Sequence, residues 1–191
     1  MELLRHLIEE SGFESIGKFD TKALVVREEV RAMCEVNSCG RYNKSWACPP
    51  ALESLEVYQE KLTSYEGGYV FQTIARMEDD FDYETIKAAQ DLFAERFSIL
   101  AEKTQGISDD IALLAAGSCL LCEVCSYPDK PCVHPNRMFP SLEACGLVVS
   151  EVCQLAQVPY NHGPRTIAFI GGALYKLADS VSTISKPSAF S

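Results

Sequence analysis

Positive charge is scarce in this chain. Its 17 Lys and Arg stand against 27 Asp and Glu, giving a formal net charge of −10. Such a chain repels a phosphate backbone, which argues against nucleic acid as a partner. The acidic excess suits a basic protein partner or serves solubility alone. Long apolar runs are missing too: no stretch approaches the roughly 20 residues that span a bilayer. Met1-Glu2-Leu3-Leu4-Arg5-His6 leads straight into an amphipathic pattern, without the basic segment and apolar core of a secretory signal. The expectation is a cytoplasmic protein with no membrane association. Nucleotide fingerprints are absent as well. Gly171-Gly172 follows a strand pattern but lacks the three-glycine phosphate signature, and there is no P-loop or nucleophile elbow.

Cysteine is what the sequence has in quantity, with nine residues against only three histidines. A chain of 191 residues buries roughly 70% of its unfolded surface and needs no disulfide staples. In a reducing compartment, cysteine at this density reads as metal binding or redox chemistry.

The apolar periodicity predicts interleaved helices and strands. Leu3, Leu4, Leu7 and Ile8 mark a first helix that stops near Gly12. Residues 13–26 suit one or two strands, and 27–36 reads as a helix. Pro49-Pro50 is placed to open another, carrying Leu52, Leu55, Tyr58 and Leu62. Strands are expected over 69–75, 111–116 and 166–170. The clearest helix covers 83–104, where Ile86, Ala89, Phe93, Phe97 and Leu100 keep a 3-4 spacing. The acidic residues Asp79, Asp80 and Asp82 ahead of it read as a helix-start charge bias. Ser141 and Ser150 are each placed to cap a short helix. The fold class is α/β or α+β: a mixed sheet flanked by helices, with cysteine-rich loops at about 34–50 and 117–140. One domain over 1–191 is expected, with a Ser-rich tail at 182–191 that frays.

The stronger cysteine motif is Cys119-x2-Cys122-x2-Cys125-x6-Cys132. Two-residue spacers let successive thiolates curl around one compact object, as in the cysteine runs that hold a four-iron cluster. The gap of six before Cys132, with Pro131 in front of it, departs from the usual ferredoxin run. Zinc is the competing reading, because His134 supplies a fourth donor beside Cys132, although structural zinc sites favour two close pairs. The second constellation is Cys34-x4-Cys39-x8-Cys48-Pro49-Pro50. Arg41 and Lys44 lie inside it to offset thiolate charge, and Tyr42 and Trp46 to exclude water. The bland alternative is a surface loop with an aromatic anchor. Cys153 falls in a helical pattern and Cys145 just before a helix end at Gly146, where a lone cysteine usually packs as a small apolar residue; the alternative is a ligand role, with Cys145 as a remote fourth donor to the Cys34, Cys39 and Cys48 set. His6 reads as solvent-facing. His162 reads as a turn residue, with a proton donor near a cluster as the alternative.

Ala116-Gly117-Ser118-Cys119 through Cys125, Pro131-Cys132-Val133-His134-Pro135 and Pro140-Ser141-Leu142-Glu143-Ala144 together resemble an uncharacterised microbial family of predicted metal-binding proteins. Cys34, Cys39, Tyr42, Trp46 and Cys48-Pro49-Pro50 are similar to that family's N-terminal motif, in the same order. The resemblance also takes in Asn161-His162-Gly163-Pro164 and so covers nearly the whole chain. It implies a cysteine-ligated metal centre in lineages rich in anaerobes, with Cys34, Cys39, Cys48, Cys119, Cys122, Cys125 and Cys132 as ligands. It implies no reaction.

Seven motif cysteines divide into four and three. The leading expectation is an electron carrier with two 4Fe–4S clusters and a redox partner protein. One cluster, an enzyme with an open iron, and a zinc-stabilised binding module are the alternatives.

Overall fold

A computed structural model describes residues 2–105, 107 and 111–176. Its centre is a pair of long strands, β2 (Gly67–Arg76) and β4 (Thr166–Tyr175), paired antiparallel along their whole length. The short strands β1 (Glu14–Phe19) and β3 (Ile111–Leu114) flank them, giving the order β1-β2-β4-β3. All three ladders are antiparallel. A parallel pairing appears in the isolated bridge between Ala115 and Ser141.

Side chains alternate across the strands, so each face of the sheet takes its own helices. Tyr69, Phe71 and Ala173 face α1 (Glu2–Glu10) and α4 (Tyr83–Thr104), where Ile8, Phe93 and Leu100 meet them. Val70, Ile170 and Leu174 face α3 (Leu55–Thr63) and α5 (Val149–Leu155), against Leu62, Val152 and Leu147. The architecture is α+β, helices on both faces of an antiparallel sheet. Phe71 is fully buried, with its ring 4.4 Å from that of Phe13 and 6.5 Å from that of Phe93. Gly171 makes room for this aromatic cluster. A Cβ there would lie 2.7 Å from the Phe71 ring and 3.0 Å from both Phe93 and the Leu114 carbonyl. The Gly171-Gly172 pair is therefore a packing feature.

The long helix forms where the 3-4 spacing places it, and Asp82 caps it by accepting the Thr85 N–H at 3.0 Å. Several boundaries move. The helix expected from Pro49-Pro50 begins at Leu55, because Ser54 caps it by accepting the Val57 N–H. Residues 13–26 supply one strand, a 3-10 turn (Thr21–Ala23) and a lone bridge from Val26 to Leu147. Ser141 does cap the Ala144 N–H at 3.1 Å, but the chain makes a single turn there and no helix. Ser150 lies inside α5, which starts after Val148. The last strand continues to Tyr175, since its second half is paired on both sides, with β2 and with β3. The Ser-rich tail at 182–191 lies outside the described residues. The short helix α2 (Glu28–Glu35) buries no residue. Arg27, just ahead of it, forks onto the Glu151 carboxylate of α5 at 2.9–3.1 Å.

Candidate metal centre

Beyond β3 the chain leaves regular structure. The Ala115 N–H donates to the Pro140 carbonyl at 2.9 Å, so the loop 117–140 starts and ends at one place. Cys119, Cys122, Cys125 and Cys132 are all half-buried within it, and all four line one narrow pocket of about 20 Å³. Among the described residues, no carboxylate lines this pocket; Arg41, Trp46 and His134 do. On the α4 side, Phe139 meets Phe97 edge to face, and Arg137 donates to Ser98 Oγ at 2.6 Å.

The earlier cysteine loop closes the other side. Trp46 stands edge-on to Tyr127 with ring centres 4.8 Å apart, and its indole N–H donates to the Lys130 carbonyl at 3.1 Å. Tyr127 in turn donates to Asn43 Oδ1 at 3.2 Å. These contacts join segments more than 80 residues apart.

Burial pushes the Cys125 thiol up, but hydrogen bonds outweigh it. The backbone N–H groups of Tyr127, Trp46 and Ser126 and the Ser45 hydroxyl favour the thiolate, and the net shift is downward. Cys119 moves the other way: burial raises it, and the neighbouring Cys122, Cys132 and Cys125 add to the rise.

Cys34, Cys39 and Cys48 gather at a second place. All three line a cavity of about 910 Å³, together with Arg41, Tyr42, Lys87 and the carboxylates of Asp91, Glu123 and Glu143. Cys34 sits in the last turn of α2, Cys39 is exposed and Cys48 is buried. Burial raises Cys34 against the lowering pull of Arg31, and burial pushes Cys48 up to about 11. The two places adjoin, since Cys122 and Arg41 line both. The Ser45 hydroxyl is within reach of Cys48 on one side and Cys125 on the other.

Cys145 and Cys153 stand apart from these pockets. Both are fully buried in the apolar cluster beneath the sheet. Cys145 bonds to the Tyr58 hydroxyl, and burial pushes its thiol up to about 12. Cys153 lies 3.9 Å from Gln72 Nε2. His162 pairs with the buried Gln72, Nε2 to Oε1 at 2.6 Å, and Gln72 also donates to the Pro159 carbonyl. His162 thus pins its loop to β2. His6 pairs with Glu10 at the surface.

Arg31 carries no motif signal, yet it braces the second site. It rises from α2 three residues before Cys34 and donates to the Ala144 carbonyl at 2.9 Å and to the Glu53 carbonyl at 3.4 Å. Among the described residues, its Nε is the buried side-chain nitrogen or oxygen that lacks a hydrogen-bond partner.

Residues 17–175 match the family described as Predicted metal-binding protein (DUF2284). The chain belongs to this family. No curated protein and no solved structure matches it. For this member of the predicted metal-binding family, the donor chemistry agrees with the description. Two thiol-lined pockets favour a metal that prefers soft sulfur, such as zinc or the iron of an iron–sulfur cluster. Among the described residues, no three His, Cys, Asp or Glu side chains are grouped to hold one metal ion. No described helix is long and apolar enough to cross a membrane.

Proposed function

We propose that the chain acts as one domain that binds two 4Fe–4S clusters and passes electrons to a redox partner protein. Cys119, Cys122, Cys125 and Cys132 would hold one cluster. Cys34, Cys39 and Cys48 would hold three corners of the other. The observation that carries this reading is that the seven motif thiols line two adjoining pockets, with Cys122 on the wall common to both. Clusters so placed supply one-electron redox chemistry, at potentials set by hydrogen bonds, charge and solvent access.

The surrounding residues suit that role. Three N–H groups and a hydroxyl reach the Cys125 sulfur, which favours its thiolate form. Arg41 offers positive charge to both pockets. Val124 and Val133 are 83% and 63% exposed beside Cys125 and Cys132, so a partner would meet apolar surface close to the first cluster. None of the nine cysteines is in a disulfide, so all seven motif thiols are available as donors.

The cavity beside the triad favours a second reading, an enzyme with one open iron. At about 910 Å³ it has the size of a small-molecule site. A zinc version draws on His134, which lines the first pocket.

Anaerobic purification tests the main reading. The protein should be brown, with a broad visible absorption band and iron matched by acid-labile sulfide. Wild-type chain should hold about twice the iron of a Cys39→Ser/Cys48→Ser variant. A colourless protein containing zinc overturns the proposal. Equal iron in the two proteins reduces it to a single cluster.

A further inference from the structure

The triad supplies three donors, and the side chains around its cavity point to the fourth. We infer that Glu143 completes the metal centre of Cys34, Cys39 and Cys48, placing one carboxylate oxygen among three thiolates. This rests on the triad reading above.

Cys145 is the obvious thiol for the position, and its surroundings exclude it. The side chain is 0% exposed, bonded to Tyr58, packed in the apolar cluster and absent from the cavity wall. The wall holds one further thiol, that of Cys122, which also lines the four-cysteine pocket. Three carboxylates remain. Asp91 is ion-paired with Lys87. Glu123 rides on the four-cysteine loop, beside Cys122. Glu143 is exposed at the cavity wall that Cys34, Cys39 and Cys48 share.

The backbone that presents Glu143 is held from several sides. Ser141 Oγ accepts the Ala144 N–H, the Gly146 N–H donates to the Glu143 carbonyl at 2.9 Å, and the Cys145 N–H donates to the Ser141 carbonyl at 3.1 Å. Arg31 then ties the next residue, Ala144, to the helix that carries Cys34. One guanidinium therefore fixes a proposed thiol ligand and the proposed carboxylate ligand relative to each other.

The chemistry of the donor follows. A carboxylate is a harder ligand than a thiolate and holds a soft, thiolate-bound metal less firmly. The corner it occupies is the exchangeable one, and the adjoining cavity gives an incoming ligand room to displace it.

The test uses the full chain, reconstituted anaerobically with iron and sulfide and then challenged with an iron chelator. Iron per chain is followed over time. Glu143→Ala should lose triad iron several-fold faster than wild type, and Glu143→Cys several-fold slower. Cys145→Ala should match wild type in iron. The inference is overturned if Glu143→Ala loses iron at the wild-type rate, or if Cys145→Ala loses the triad iron instead. Both substitutions at 143 replace an exposed side chain, so the fold survives to be measured. A Cys39→Ser/Cys48→Ser control separates the two levels: if it holds as much iron as wild type, the triad reading itself fails.

Discussion

Cys119, Cys122, Cys125 and Cys132 come from one loop and enclose about 20 Å³, whereas Cys34, Cys39 and Cys48 come from a helix end and a separate loop and border about 910 Å³. Among the described residues, the first pocket has four thiols and no carboxylate, and its space is about that of one water. The second has the three thiols of the triad and that of Cys122 on its wall, with cations, carboxylates and space. Continuous two-residue spacers draw donors inward, because the chain must wrap what it binds. Donors brought from separate segments leave gaps between them. A closed set suits outer-sphere electron transfer. An open set suits exchange of a ligand.

The comparison is broken most severely at the shared wall. Cys122 lines both pockets, so Cys122→Ser should lower iron by about half or more and also alter the spectrum of the triad centre. Cys125→Ser should remove the first centre's iron and leave the triad spectrum as it was. Identical triad spectra in the two variants would show that the pockets are independent.

Trp46 comes next. Trp46→Ala removes the edge-on contact with Tyr127 and the bond to Lys130, together about 2 kcal/mol. The loops should part, with faster iron loss from both centres and a lower melting temperature for the metal-loaded protein. Trp46→Phe should recover about half of that stability, since it keeps a ring and loses the N–H.

The smallest effect on metal is expected at His162. His162→Ala leaves the buried Gln72 Oε1 without its partner, at a cost of about 1–3 kcal/mol. Iron per chain should stay at the wild-type value. A loss of iron in this variant would place His162 in the metal chemistry and not in the scaffold.

How much of this was legible depends on where the partners lie. Helix α4 was read correctly because its apolar stripe is local, and the packing reading of Cys145 agrees with its full burial. The length of β4 was underestimated because two glycines weaken the strand pattern. Their reason, the Phe71 and Phe93 rings above Gly171, comes from strands and helices far along the chain. The two-residue spacers of Cys119, Cys122 and Cys125 are legible as one set, whereas the spacing of Cys34, Cys39 and Cys48 fits no single motif. The groups that surround both sets carry no such signal. Arg31 lies in a polar run, and its partners Glu53 and Ala144 are 22 and 113 residues away. Ser45 is one more serine in a loop until Cys48 and Cys125 flank it. Side chains that bridge segments leave no periodic trace.

That serine has a consequence of its own. A hydroxyl carries a single proton, and the Ser45 oxygen already accepts the Ala47 N–H at 3.2 Å. One proton cannot serve two sulfurs together, so Cys48 and Cys125, from the two thiol sets, have a single small hydroxyl in common between them.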